Sequence, residues 1–145
     1  MPKLKIAIVD DQKSNLKIMG KYLTREGFEV CTATNGKEAV ALVQSERPDL
    51  VLMDLKMPVM SGLEATLQIK ADPTINQIPI YALSAQIRDG DGSSLKAVGF
   101  DGWCQKPIKA GQLVELVRRW ADPTDDIHFA QTDEPDGITQ HRIRP

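Results

Sequence analysis

The segment Leu50-Val51-Leu52-Met53 is apolar without interruption and stops at Asp54. A strand that is apolar on both faces has to be covered on both faces, which is the situation of a parallel sheet between layers of helices. A strand with one wet face would alternate apolar and polar residues instead. No other feature of the chain narrows the fold as far.

The remaining sequence repeats the same unit. Leu4 to Val9 predicts a first strand that ends at Asp10-Asp11. Leu16, Met19 and Leu23 then recur at helical spacing, with Ser14 or Asn15 as the cap and Gly27 as the stop. Phe28 to Ala33 predicts a second strand, closed by a turn at Asn35-Gly36, and Ala39, Val40 and Val43 mark a helix that stops before Pro48. Leu63 to Lys70 has helical period and Asp72-Pro73 breaks it. Ile78 to Leu83 predicts a fourth strand, with Pro79 tolerated near its start, and Ser84 follows. Arg88 to Val98 predicts the next helix, with Gly90 and Gly92 weakening its first turn by about 1 kcal/mol each relative to Ala. Phe100 to Cys104 predicts a last short strand near Lys106-Pro107, and Leu113, Val114, Val117 and Trp120 predict the apolar face of a final helix. The pattern as a whole predicts an α/β fold, a doubly wound five-stranded parallel sheet with five helices.

Length and composition fit one such unit: 145 residues, 41% hydrophobic, supply a single core. Residues 1–121 are expected to form the domain. Asp122-Pro123-Thr124-Asp125-Asp126 and Asp133-Glu134-Pro135-Asp136-Gly137 are turn formers, so 122–145 is expected to be a polar, flexible tail in which His128 and His141 are solvated. With a net charge of −2 and no block of Lys and Arg, a nucleic-acid partner is not expected. No apolar run approaches the ~20 residues of a membrane span. Met1-Pro2-Lys3 leads straight into the first strand with no signal-peptide core, so a cytoplasmic chain without a membrane partner is expected. Cys31 and Cys104 form no metal-binding spacing and are expected as small buried side chains in a reducing compartment.

In a parallel α/β sheet, sites form outside the C-terminal ends of the strands. Asp10 and Asp11 end the first predicted strand, Asp54 the third and Ser84 the fourth, and Lys106 follows the fifth. Clustered carboxylates repel one another unless a cation sits among them. Mg²⁺ suits that place, because it takes oxygen ligands and keeps waters that phosphate oxygens can replace. Phosphoryl transfer is largely positioning and charge neutralisation, and a carboxylate is a competent nucleophile that forms an acyl phosphate. Asp54, alone at the end of the middle strand, is the expected nucleophile, with Asp10 and Asp11 holding the metal. Lys106 would pair with one phosphoryl oxygen and the Ser84 hydroxyl would donate to another. Each of these residues alone is compatible with a turn, a cap or a solvated side chain; the set in this order is not.

Those motifs carry a family resemblance. Val9-Asp10-Asp11, Met53-Asp54-Leu55-Lys56-Met57-Pro58 with Gly62, Leu83-Ser84-Ala85 and Lys106-Pro107 resemble the receiver domain of response regulators in two-component signalling, of the single-domain chemotaxis-regulator or DivK-like type. Asn35-Gly36-Lys37-Glu38-Ala39 and Gly90-Asp91 are similar to such domains as well, and the similarity runs from residue 4 to about residue 120. The resemblance implies the flavodoxin-like receiver fold, phosphorylation at Asp54, and Mg²⁺ held by Asp10, Asp11, Asp54 and the backbone carbonyl of Lys56. It implies Ser84 as the switch hydroxyl, Trp103 at the switch-aromatic position, and Lys106 as the active-site lysine with a cis bond to Pro107. It further implies a histidine kinase or histidine phosphotransfer protein as donor, and a downstream protein, which the sequence does not identify, as reader of the switched surface. With no effector domain after residue 120, output is expected through protein binding or onward relay. Such domains catalyse their own aspartyl phosphorylation and dephosphorylation, so the label of enzyme is partly convention.

The chain departs from the pattern at Trp103, where receivers usually carry Tyr or Phe. Lys56 and Gln86 occupy positions expected to tune dephosphorylation. The alternative is a pseudo-receiver, a docking module of the same fold that is never phosphorylated; the complete acidic set argues against it. An Asp-nucleophile phosphatase would want an acid where Lys56 stands. A flavin site would want a neutral phosphate loop where Asp10-Asp11-Gln12-Lys13 stands.

Overall fold

Strands and helices alternate along the chain as β1 (Lys5–Val9), α1 (Lys13–Arg25), β2 (Glu29–Ala33), α2 (Gly36–Glu46), β3 (Leu50–Asp54), α3 (Gly62–Ala71), β4 (Ile80–Ser84), α4 (Asp91–Val98), β5 (Gly102–Gln105) and α5 (Ala110–Ala121). The computed structural model describes residues 3–84, 91–106 and 109–121. Gln86, the expected helix start at Arg88, the Lys106-Pro107 bond and the expected tail lie outside the described residues. All strand pairs are parallel, in the order β2-β1-β3-β4-β5. This is the expected flavodoxin-like α/β fold, a five-stranded parallel sheet with five helices.

The alternation of side chains along each strand divides the core into two layers. Ile6 and Ile8 of β1, Leu50 and Leu52 of β3, Tyr81 and Leu83 of β4 and Cys104 of β5 pack against Leu16, Met19 and Leu23 of α1 and Leu113, Leu116 and Val117 of α5. Ala7, Val9, Val51, Met53, Ile80, Ala82 and Trp103 face the other way, onto Ala39 and Val43 of α2, Ala65 and Ile69 of α3, and Leu95 of α4. Every residue of β3 is buried, as its unbroken apolar run requires. Burying such a Leu or Val is worth about 1.5–3 kcal/mol each.

Several boundaries differ from expectation. The first helix is not capped by Ser14 or Asn15: Gln12 is its N-cap and supplies no side-chain bond, which leaves Asn15 inside the first turn. Strand β4 starts at Ile80 rather than Ile78, because the Ile78 N–H is spent on the Ile75 carbonyl in the preceding turn and Pro79 has no N–H. Strand β5 starts at Gly102 rather than Phe100, because the Phe100 N–H bonds back to Leu95 at the end of α4. On α5 the buried face includes Leu116, while Val114 and Trp120 are half-buried. Cys104 is buried as expected, but Cys31 on the edge strand β2 is only half-buried; both are free. Among the described residues no helix is long and apolar enough to cross a membrane.

Candidate functional site

Asp10 lies one residue beyond β1, where its N–H still bonds the Ala33 carbonyl at 3.1 Å. Its carboxylate is fully buried, so each oxygen needs donors. Oδ1 accepts the Gln12 backbone N–H at 2.9 Å. Oδ2 accepts Lys106 Nζ at 2.7 Å and Asn15 Nδ2 at 3.3 Å. The chain turns directly into α1 here, which brings Gln12 and Asn15 back beneath the acid. Asp11, next in the chain, is exposed.

Asp54 is the last residue of β3 and is 7% exposed. The loop behind it is drawn tight by the Gly62 N–H, which bonds the Leu55 carbonyl at 3.0 Å. A Cβ on Gly62 would stand 2.1 Å from the Asp54 carbonyl oxygen and 2.9 Å from Met53 Cγ, so only glycine fits. Ser61 and Glu64 then start α3 with a reciprocal capping box. Within the loop, the Met60 N–H reaches back to the Pro58 carbonyl at 2.6 Å across Val59, which has φ +68°. That conformation is costly for a β-branched residue.

Burial raises the Asp54 carboxyl above the ordinary aspartate range; the charge on Lys106 pulls it back, Asp10 pushes it up, and hydrogen bonds from Lys106 and the Lys56 N–H pull it down, leaving it raised. Lys106 Nζ is 3.4 Å from Asp54 Oδ2, so one ammonium bridges the two buried carboxylates.

Ser84 ends β4 and is 4% exposed. Its carbonyl accepts the Lys106 N–H at 2.7 Å, which ties the ends of β4 and β5 together and fixes where the lysine emerges. Trp103 pairs with Ala82 in the β4–β5 ladder and is 5% exposed, with its side chain in the core beneath α2, α3 and α4. Asp11, Gln12, Asn15, Asp54, Lys56, Ser84 and Lys106 line one cleft of ≈ 340 Å³.

The donor set suits a hard dication. One carboxylate oxygen from each of Asp10, Asp11 and Asp54 lies within 4.8 Å of the others. Ligands about 2.1 Å from an octahedral Mg²⁺ stand up to ~4.2 Å apart, so small side-chain movements would close the set on one ion. Among the described residues, the side chains expected at the site meet at the strand ends except that of Trp103, which lies in the adjoining core. Gln12 and Asn15 also line the cleft, and no motif in the sequence points to them. Their only sequence signal is their position in the turn that follows Asp10-Asp11.

The response regulator receiver domain family matches residues 6–118. The chain is 34% identical over 120 residues to the polar-differentiation response regulator DivK of Brucella anthropi, covering 83% of this chain and 97% of that one. Among solved structures it is similar to the chemotaxis response regulator CheY4 of Vibrio cholerae, at 32% identity and a TM-score of 0.77, covering 81% of this chain and 98% of that one. It is also similar to the receiver domain of a sensor histidine kinase from Pseudomonas aeruginosa, solved with a magnesium ion coordinated in its active-site cleft. That likeness has 30% identity and a TM-score of 0.74, and covers 82% of this chain and 98% of the other.

Proposed function

The chain belongs to the response regulator receiver family, and from that premise we propose that Asp54 is the residue that takes the phosphoryl group. A phosphoryl-accepting receiver of the CheY/DivK-like kind, it has an acidic cluster positioned to coordinate Mg²⁺ and the self-phosphorylation and dephosphorylation typical of such domains. The observation that carries the assignment is the bridge from Lys106 to Asp54, which joins a buried strand-end carboxylate to a lysine ammonium shared with Asp10.

In this reading, an Asp54 carboxylate oxygen attacks the phosphorus of a phosphohistidine, an O–P bond forms and the N–P bond breaks, leaving the imidazole on the donor. Asp10, Asp11, the Asp54 carboxylate and the Lys56 carbonyl would hold Mg²⁺, which would supply charge neutralisation at the phosphoryl oxygens. Lys106 turns from Asp10 to a phosphoryl oxygen, and the Ser84 hydroxyl donates to another. Trp103 is on β5 and lies in the core with Leu95 of α4, so a rearrangement at Ser84 would be passed to the α4–β5 face, where a downstream protein binds one of its two forms.

The donor is a histidine kinase or phosphotransfer protein, as is typical of receivers. It docks at α1, beside the cleft. Ile18 there is 55% exposed, and Lys17 and Lys21 flank it in the open.

The test is labelling with acetyl phosphate, with and without Mg²⁺, followed by intact mass. A gain of one phosphoryl group that needs Mg²⁺ and is absent in Asp54→Asn is the expected result. Equal labelling of Asp54→Asn and wild type would remove Asp54 from the role. No labelling, under conditions where another receiver is labelled, would favour the docking-module alternative.

A further inference from the structure

The buried carboxylate of Asp10 has more donors than its contact with Lys106, and the additional side-chain donor is Asn15. Asn15 Nδ2 stands 3.3 Å from Asp10 Oδ2 and 3.0 Å from Gln12 Oε1. An ionised carboxylate offers only acceptors, so the amide has to turn its NH₂ toward Asp10. The Gln12 side-chain oxygen takes the second hydrogen of that group, and the Gln12 backbone N–H holds Asp10 Oδ1 at 2.9 Å. Both carboxylate oxygens are thereby fixed from the first turn of α1, independently of Lys106.

This matters because Lys106 has another task. It reaches both Asp10 and Asp54, and in the proposed reaction it leaves Asp10 for the phosphoryl group. A fully buried carboxylate that loses its ammonium needs its remaining donors to keep its plane and position. We infer that Asn15 is a positioning residue for the metal: it holds Asp10 in the orientation that receives Mg²⁺ while Lys106 is engaged elsewhere. Outer hydrogen bonds to metal-ligating side chains commonly govern affinity in this way. The inference rests on the proposed Mg²⁺ role of Asp10 and adds a residue that acts through it.

The test compares wild type with Asn15→Leu, which keeps the bulk and removes the donor. Mg²⁺ binding is measured by isothermal titration calorimetry, acetyl phosphate labelling is followed as a function of Mg²⁺, and the thermal midpoint is taken in EDTA. The expected result is a roughly tenfold rise in the Mg²⁺ dissociation constant and in the half-saturating Mg²⁺ for labelling. At saturating Mg²⁺ the labelling rate returns to within about twofold of wild type, which a merely structural lesion would not allow. An unchanged dissociation constant in a folded Asn15→Leu protein overturns the inference. So does a lower rate at saturating Mg²⁺ with no change in half-saturation. A wild-type chain that binds no Mg²⁺ and takes no label would overturn the receiver chemistry itself, and the positioning role with it.

Discussion

Lys106 and Asp10 stand 96 residues apart in the chain, yet the lysine ammonium lies 2.7 Å from the aspartate Oδ2, on a carboxylate with no exposed surface. The same ammonium is 3.4 Å from Asp54, so it occupies electrostatically the ground that a dication would take.

That overlap sets the first prediction. Lys106→Met leaves two buried carboxylates without their cation, and removal of one partner from such a group costs about 3 kcal/mol. Urea unfolding in EDTA should show a loss of that order. In excess Mg²⁺ the gap to wild type should narrow, because the metal neutralises the charge that the lysine no longer does. An equal gap in both conditions would mean that metal and ammonium do not share the site.

The second concerns Asp54 and pH. Its carboxyl is raised, with burial the largest cause, so the folded chain holds that proton more tightly than the unfolded chain does. Ionisation therefore weakens the metal-free fold, and stability from this group returns as pH falls through the folded value. Asp54→Asn should be more stable than wild type in EDTA at pH 7 to 8, with the advantage fading on acidification and gone below the ordinary value of 3.8. Glu38 and Asp72 are lowered, chiefly by hydrogen bonds from Thr34 and Thr74, and lose stability in acid equally in both proteins, so they cancel in the difference. A difference that is flat with pH would show that Asp54 titrates like a free aspartate.

Much of this arrangement is legible in the sequence, and the illegible part has definite causes. The β3 run is readable because its two buried faces leave no polar residue before Asp54. The order of the acids, Ser84 and Lys106 along the strand ends follows from parallel topology alone. The role of Asn15 is not legible, because a polar residue near a helix start usually caps it, and the hydrogen bond that it makes instead depends on the depth of Asp10 in the turn. The starts of β4 and β5 are hidden in the sequence because Ile78 and Phe100 are apolar for the core while their N–H groups belong to the preceding turns. No periodicity separates those two demands.

Val59 supports a third prediction. It is 78% exposed and gains little from its side chain, while φ +68° strains its backbone. Relief of about 1–3 kcal/mol is partly offset by glycine's greater freedom in the unfolded chain, about 1 kcal/mol. Val59→Gly should raise the urea midpoint by an amount equivalent to about 1 kcal/mol. A lowered midpoint would mean that the turn is held elsewhere and that the valine contributes contacts of its own.

The fourth separates docking from chemistry. Ile18→Asp places a charge on the exposed side of α1 and leaves the core side, Leu16, Met19 and Leu23, untouched. Phosphotransfer from whichever histidine phosphotransfer protein labels wild type fastest in a panel should slow by about tenfold, the scale of a lost interface anchor. Labelling by acetyl phosphate, which needs no docking, should stay as it was. If both rates fall together, α1 acts on the site rather than on the donor.

The two tryptophans stand on opposite sides of the sheet: Trp103 in the core under α2, α3 and α4, Trp120 against the layer built by α1 and α5. Each indole is thus a native fluorophore for a different layer. Replacing one at a time by phenylalanine would give emission signals that separate events under α4 from those under α1, without any attached dye.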